Sequence, residues 1–207
     1  MDRDPLFHAV NHLAHVHLSG GNAPLLVGNL AADYLRKREC LELSPKLQDG
    51  VALHRHIDHA TDNHPAVREA WAVLRPRHGK YASVVYDIYA DYLLHRHWDR
   101  FAARPLREVT EHAYAALRAH ADQLPDSLAA RFARMCERDW LRHYGSYEGQ
   151  AYVFARFGAR LSRPELLDGV IDTLRDNESV LAKAFLTFYP SMQASAAQLI
   201  RTLNGAL

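Results

Sequence analysis

The sequence predicts an all-α protein, a single compact domain of about eight helices. Glycine and proline number only 10 and 9 among 207 residues, and most of them stand where a helix would begin or end. Apolar residues recur at intervals of three and four along most of the chain. No stretch of about four to eight residues alternates between apolar and polar side chains as a strand would. A chain of this length, without linkers or repeats, predicts one domain over residues 1–207.

Boundary residues place the helices in order. Pro24 favours the start of a helix that runs to Lys37, because proline is preferred at the first helical position. Ser44 is a helix cap followed by Pro45, and this pair begins a second helix that runs to about His59. The later predicted helices are His64–Arg75, residues 80–101, three that begin near Pro105, Pro125 and Pro164, and residues 178–203 with a kink or short break at Pro190.

Composition excludes several classes of function. The formal net charge is +1, so the chain lacks the basic excess with which a general nucleic-acid-binding protein neutralises phosphates. No apolar run approaches the roughly 20 residues of a membrane span. Cys40 and Cys136 have neither metal-binding nor redox-motif spacing, which predicts a reducing, cytoplasmic location. The chain contains 14 histidines, most of them in its first half.

Carboxylates and histidines fall on helix faces that are otherwise apolar. Asp33 follows Leu26 by seven residues and Leu30 by three, so the three side chains share one face. Other polar residues share apolar faces in the same way: His54, Asp58, Asp87, Asp91 and His95. Carboxylates one turn apart repel each other, and more strongly when they are desolvated. Such pairs therefore need water, basic partners or a cation.

Oxygen and imidazole ligands without thiolates suit Mn²⁺, Fe²⁺, Mg²⁺ or Zn²⁺. The pattern therefore favours a metal centre. An ordinary ion-pair network is the alternative. In that network the acidic residues Asp58, Asp62 and Asp91 would pair with the basic residues Arg55, Arg68 and Arg96.

Four segments resemble the acyl carrier protein phosphodiesterase family. In order and approximate spacing they are residues 11–18, 26–33, 53–65 and 86–98, so the predicted catalytic motifs lie within residues 11–98. The third segment is the most specific. One position departs from the family, which often has Asp-His where this sequence has Asp91-Tyr92, and a ligand role there would have to move, for example to His95.

The resemblance implies a helical fold related to the HD-type phosphohydrolases and dependence on a divalent metal, Mn²⁺ first and Mg²⁺ or Fe²⁺ as alternatives. It also implies hydrolysis of the phosphodiester that joins 4′-phosphopantetheine to a serine of holo acyl carrier protein. The positions that match imply metal ligands at Asp33, His54, Asp58 and Asp87. The implied catalytic residues are His15 or His64 as general acid, Asp62 or Asp91 as general base or ligand to a second ion, and Arg55 as a phosphate clamp.

The implied protein substrate is acidic, which makes surface cations candidates for docking it. These cations are Arg36, Lys37, Arg38, Arg75, Arg77 and Lys80. Solvated helix ends are the simpler explanation for each cluster, because cations complement the helix dipole there. Two other functions stay open. One is an HD-like phosphohydrolase acting on a nucleotide or another small phosphodiester, and the other is a non-catalytic helical module that binds metal or carrier protein.

Overall fold

Helices joined by short turns make up residues 11–205, the part of the chain that the computed structural model describes. The α-helices are α1 (His12–Leu18), α2 (Ala23–Ala31), α3 (Lys37–Leu41), α4 (Pro45–Asn63), α5 (Pro65–His78), α6 (Ala82–Arg96), α7 (Trp98–Phe101), α8 (Leu106–Ala119), α9 (Asp126–Glu137), α10 (Trp140–His143), α11 (Tyr147–Gly158), α12 (Val170–Asp176) and α13 (Glu178–Gly205). Short 3₁₀ turns cover Gly79–Tyr81, Ala121–Gln123 and Pro164–Leu167. Residues 11–205 contain no strand, so the all-α prediction is confirmed.

About eight helices were predicted, and eight helices within residues 11–205 have nine or more residues. The shorter helices were missed because one or two turns contain too few residues to reveal a period. The prediction for residues 80–101 was wrong in one respect: the helix ends at Arg96 and a separate helix, α7, begins at Trp98. The prediction of a helix up to Lys37 was also wrong, because α2 ends at Ala31 and Asp33 lies in the turn that follows.

Prolines interrupt the helices less than predicted. Helix α5 continues through Pro76 to His78, and α13 continues through Pro190 without a break. Proline removes one backbone hydrogen bond from a helix interior. In α13 the buried side chains of Phe188, Tyr189 and Met192 flank Pro190, and we attribute the unbroken helix to their packing.

Helices α2 and α4 cross with their backbones in direct contact. A Cβ atom at Gly28 would lie 2.0 Å from the carbonyl oxygen of Leu47, and one at Gly50 would lie 2.4 Å from that of Leu25. Both positions therefore require glycine. The crossing brings Asn29, next to Gly28, to the same place as His54, which follows Gly50 by one turn.

The apolar core is one cluster that extends from the N-terminal helices to α13. Its fully buried members include Leu30, Leu53, Tyr86, Leu117 and Phe185. No helix within residues 11–205 is both long enough and apolar enough to span a bilayer.

Candidate metal centre

Four side chains converge beside the crossing of α2 and α4. His54 and Asp58 project from α4, His15 from α1, and Asp33 from the turn after α2. The Nε2 atom of His54 is 3.1 Å from Asp58 Oδ2 and 3.3 Å from Asp33 Oδ1. The Nε2 atom of His15 is 3.4 Å from Asp58 Oδ1, and the two imidazole rings stack with centroids 4.5 Å apart. His15, Asp33 and His54 are buried, whereas 34% of the Asp58 side chain is exposed, so the site opens to solvent at Asp58.

Asn29 fixes the orientation of both imidazole rings. Its Nδ2 atom donates to the carbonyl oxygen of His15 at 3.2 Å and to the hydroxyl of Ser19 at 3.0 Å. A carbonyl oxygen can only accept, so the amide nitrogen must face it and the amide oxygen must face the histidines. Oδ1 of Asn29 lies 2.7 Å from Nδ1 of His15 and 3.2 Å from Nδ1 of His54. Both Nδ1 atoms therefore donate.

With Nδ1 protonated, a neutral imidazole presents the lone pair of Nε2. In both His15 and His54 that atom faces carboxylate oxygens. A lone pair that faces an anion is unfavourable unless a proton or a metal cation lies between them. Protonating both rings would place two positive charges in one stack. A single shared cation satisfies both nitrogens at once.

The Asp33 carboxylate is also incompletely compensated. Asp33 is buried, and within residues 11–205 its Oδ2 atom has no hydrogen-bond partner. Burial, together with the charges of Asp58 and Asp87, raises the pKa of Asp33 well above its usual range. For Asp58, burial acts in the same direction, but hydrogen bonds from His15 and His54, which these rings make only when protonated, outweigh it and hold the pKa well below its usual range; a bound cation would take the place of those protons. A buried carboxylate of this kind is stable when a positive charge accompanies it.

These residues fit a divalent cation. Ligand atoms of His15, His54 and Asp58 all lie within 4.8 Å of one another, and Asp33 borders the same nitrogen of His54. Imidazole and carboxylate ligands suit divalent cations such as Mn²⁺, Fe²⁺, Mg²⁺ and Zn²⁺ rather than soft ions. Asn29 acts as an orienting partner of ligating histidines commonly does, by fixing the tautomer through the other ring nitrogen.

Two more of the predicted acidic residues lie near this group. Asp87 of α6 is half-buried and close enough to Asp33 to raise the pKa of that carboxyl. Asp62 is half-buried one turn beyond Asp58 on α4. Their direct coordination of a metal stays a prediction.

Three predicted catalytic residues have other surroundings. Both carboxylate oxygens of Asp91, which is fully buried, accept backbone N–H groups at 2.9 Å, from Leu13 and Ala14 at the start of α1. Nδ1 of His64 accepts the backbone N–H of Ala66 at 3.2 Å and caps α5.

Arg55 is exposed on α4, and its positive charge acts on the thiol of Cys40. Asp91, His64 and Arg55 therefore differ from the convergent group, and their catalytic roles stay predictions.

The alternative ion-pair network receives little support from these contacts. Asp58 contacts the two histidines rather than Arg55. Arg68 donates to the side chain of Asn63 and to the backbone carbonyl of Asp62. Arg96 pairs with Glu178.

Tyr92 belongs to a separate aromatic group. Its ring stacks on Tyr89 with centroids 5.2 Å apart and tilts against Tyr147 at 4.8 Å. His95, considered as its replacement ligand, is 2.8 Å through Nε2 from the carbonyl oxygen of Leu141. That atom is committed to joining α6 to α10, so the structure gives His95 no place among the ligands.

Sequence reasoning gave no role to Asn29, although Gly28 and Asn29 lie in a segment used for the resemblance. Its signal was a polar residue one turn before Asp33 on an apolar face. The sequence also contains a signal for the crossing, since Gly28 and Gly50 are glycines within predicted helices. Which helices cross there is a tertiary fact, and periodicity alone does not supply it.

The fold and the site define a helical protein with a buried histidine–aspartate centre suited to a divalent cation. Comparison with known proteins gives the family. The model of the acyl carrier protein phosphodiesterase family matches residues 10–192. A Salmonella agona acyl carrier protein phosphodiesterase is 32% identical over 194 residues, which cover 91% of this chain and 98% of the relative. The Yersinia pestis protein of the same name is 29% identical over 188 residues, 90% of this chain and 97% of the relative.

The chain therefore belongs to the acyl carrier protein phosphodiesterase family, a family of phosphodiester hydrolases. The resemblance identified in residues 11–98 is confirmed, and it extends through most of the second half. No solved structure matches the chain. The finer relation to HD-type phosphohydrolases stays a prediction.

Proposed function

We propose that this protein uses a divalent cation, Mn²⁺ first, to hydrolyse 4′-phosphopantetheine from holo acyl carrier protein. The names of the relatives support the reaction class and the protein substrate. The observation that carries the proposal is the orientation of His15 and His54. Asn29 holds both Nδ1 atoms, so Nε2 of His54 faces Asp33 and Asp58, and Nε2 of His15 faces Asp58.

His54, Asp58 and Asp33 would hold the cation, with His15 as a further ligand and Asp87 beside them. When bound, a divalent cation supplies Lewis-acid chemistry to a phosphodiester. The chain positions that chemistry through the α2–α4 crossing, which sets His54 against Asp33. The partial exposure of Asp58 leaves one open side, where a substrate phosphodiester reaches the centre.

Asp62 and His64 follow Asp58 at the end of α4, and we assign proton transfer to this pair. An imidazole titrates near neutral pH, which suits the protonation of a leaving serine alkoxide. Arg55 stays a proposed phosphate clamp. We give Asp91 a positioning role instead of the general-base role, because its two oxygens hold the first turn of α1 and thereby place His15.

The acidic carrier protein would dock on exposed cations. Arg36, Lys37 and Arg38 are exposed directly after the Asp33 turn, although Arg38 already pairs with Glu42 at 3.3 Å. Arg75, Arg77 and Lys80 form the second exposed group, and Lys80 donates to Ser162 at 3.1 Å. The proposal includes a cytoplasmic location, which the free thiols of Cys40 and Cys136 support.

Mass spectrometry of holo acyl carrier protein after incubation with this protein and Mn²⁺ tests the function. We expect the carrier to lose the mass of 4′-phosphopantetheine. Asp58→Asn should abolish this loss and lower the bound metal, whereas Asp176→Asn, at an exposed position on α12, should change neither. An unchanged carrier mass, with hydrolysis of small phosphodiesters instead, would contradict the proposed substrate. Full activity and full metal content in the Asp58→Asn protein would contradict the metal centre.

A further inference from the structure

A second concave site lies among α1, α9, α10 and α11. It is a cavity of about 120 Å³, and its wall includes four arginine side chains. They are Arg131, Arg138, Arg156 and Arg160. Aromatic rings, among them Trp140 and Tyr144, form much of the remaining wall, and within residues 11–205 no aspartate or glutamate lines it. We call this cavity the arginine pocket.

The four guanidinium groups are not neutralised by carboxylates of residues 11–205, since none of them forms an ion pair there. Arg131 lies over the ring of Tyr34 at 4.7 Å. Arg156 donates to the hydroxyl of Tyr152 at 3.3 Å. Arg138, Arg156 and Arg160 are exposed. Four like charges around one cavity repel each other, so an anion of high charge would stabilise the arrangement.

The arginine pocket adjoins the candidate metal centre. Tyr34, on its wall, directly follows Asp33, and its hydroxyl is 2.7 Å from Nε2 of His12. His12 lies one turn before His15 on α1 and is only 1% exposed. Burial, with the positive charge of Arg131 in addition, lowers the pKa of His12 to about 3, so this ring is neutral. The arginine pocket is therefore connected to the centre through Tyr34, next to Asp33, and through His12, one turn before His15.

The chemistry of the wall selects the ligand. Guanidinium groups bind phosphate and carboxylate in a bidentate manner, and a dianion gains more from four of them than a monoanion does. A concave site with buried rings on its wall admits a compact group better than it admits the flat surface of a protein. Hydrolysis of a phosphodiester converts a monoanion into a phosphomonoester, which carries up to two charges near neutral pH.

We propose that the arginine pocket binds the phosphoryl group of a phosphomonoester. The class of ligand follows from the pocket itself, and its identity as 4′-phosphopantetheine, the product of the adjacent centre, rests on the proposed function. Inorganic phosphate offers the same chemistry and is the second source to test.

Calorimetric titration of the full chain tests this proposal. The titrants are inorganic phosphate, 4′-phosphopantetheine and pantetheine, which lacks the phosphoryl group. The variant combines Arg138→Gln, Arg156→Gln and Arg160→Gln, all at exposed positions. A control with the same change in net charge combines Arg118→Gln, Arg134→Gln and Arg201→Gln, which are exposed and lie outside the pocket. Circular dichroism confirms that both variants are folded.

We expect 4′-phosphopantetheine and phosphate to bind and pantetheine not to bind. The pocket variant should bind at least about tenfold more weakly, since the loss of a single charge-assisted hydrogen bond already corresponds to about that change in affinity. The control should bind as the original protein does. If affinity is the same in the pocket variant, or if pantetheine binds as well as its phosphate ester, the proposal is wrong. A short oligoglutamate peptide is a fourth titrant: its binding with loss in the pocket variant, without phosphate binding, would identify a protein-docking site and overturn the proposal.

Binding in this experiment requires no turnover. A protein that leaves holo acyl carrier protein intact but binds phosphate through these arginines would contradict the proposed function and support the pocket. If the protein hydrolyses the carrier but the pocket variant and the control variant bind phosphate equally, the proposed function is supported and the arginine pocket is contradicted.

Discussion

Two regions of this helical chain pack in different ways. At the crossing of α2 and α4, backbone meets backbone, and a Cβ atom at Gly50 would lie 2.4 Å from the carbonyl oxygen of Leu25. Where α13 packs against α7, large rings fill the space between helices. Phe185 stacks on Tyr189 with centroids 4.9 Å apart, and Phe101 meets Tyr189 at 5.0 Å.

The two kinds of packing have different consequences: the crossing positions polar side chains, whereas the rings fill the space between helices. The glycine crossing leaves no side chain between α2 and α4 that could adjust, so it fixes Asn29 against His54 within hydrogen-bond distance. The ring cluster buries apolar area but sets no polar geometry at the centre. We therefore expect substitutions at the crossing to impair the centre and the stability together, and substitutions in the ring cluster to affect stability alone.

The largest effect is expected for Gly50→Ala. The new methyl group would meet backbone atoms of α2, which cannot rotate away, so α2 and α4 must separate. We expect a loss of at least about 3 kcal/mol in the free energy of unfolding, the upper part of the range for overpacking, together with loss of metal binding. Urea unfolding and metal analysis measure the two effects. Gly158→Ala is the control, because its Cβ would meet only Leu167 Cδ1 at an ordinary 3.4 Å. Equal stability of the two variants would contradict the account of the crossing.

The sequence predicts those features of the two regions that depend on local patterns, but not those that depend on contacts between distant residues. The all-α class follows from periodicity, and His54 and Asp58 follow from their place on an apolar face, because both are local patterns. The crossing, the orienting role of Asn29 and the capping of α1 by Asp91 are contacts between residues distant in sequence. Asp91 shows the limit well: a buried carboxylate on a helix face suggested catalysis, whereas its partners are the N–H groups of Leu13 and Ala14.

Asp91 of α6 holds the start of α1, and it should make stability depend on pH. Burial raises its pKa from 3.8 to about 7 despite the two backbone N–H groups that it accepts. The folded state thus binds the proton more tightly than the unfolded state does. The contribution of Asp91 to stability is fully present below about pH 4 and is lost as the pH rises through 7.

The test compares the original protein with Asp91→Asn, which does not titrate. Between pH 5 and pH 8 the free energy of unfolding of the original protein should fall by roughly 2–3 kcal/mol relative to that of the variant, at about 1.4 kcal/mol per unit. Urea unfolding at four pH values measures this. A difference between the two proteins that stays constant with pH would show that Asp91 does not carry the effect.

Asn29→Ala tests the hydrogen bonds that Asn29 makes to His15 and His54 beside the α2–α4 crossing. Without the amide, the rings of His15 and His54 lose the acceptor that fixes their Nδ1 protons, so we expect metal affinity to fall by about 10- to 100-fold, as for other orienting partners of ligating histidines. Titration with Mn²⁺ in a competitive chelator gives the affinity. Asn63→Ala, at an exposed position on the same helix as His54, is the control and should leave it unchanged. An unchanged manganese affinity in Asn29→Ala would show that metal binding does not depend on the hydrogen bonds of Asn29 to the two histidines.

The smallest effect is expected in the ring cluster. Phe185 is fully buried, and Phe185→Leu keeps an apolar side chain of similar volume there, so we expect a loss of about 1 kcal/mol in the free energy of unfolding. Manganese affinity should match that of the original protein, because the ring contacts of this cluster do not include His15 or His54. Parallel measurements on Phe185→Leu and Asn29→Ala then contrast the regions directly: the first should lower stability with the centre intact, and the second should weaken the centre. If Phe185→Leu reduces manganese affinity as much as Asn29→Ala does, the centre depends on the whole core rather than on the α2–α4 crossing.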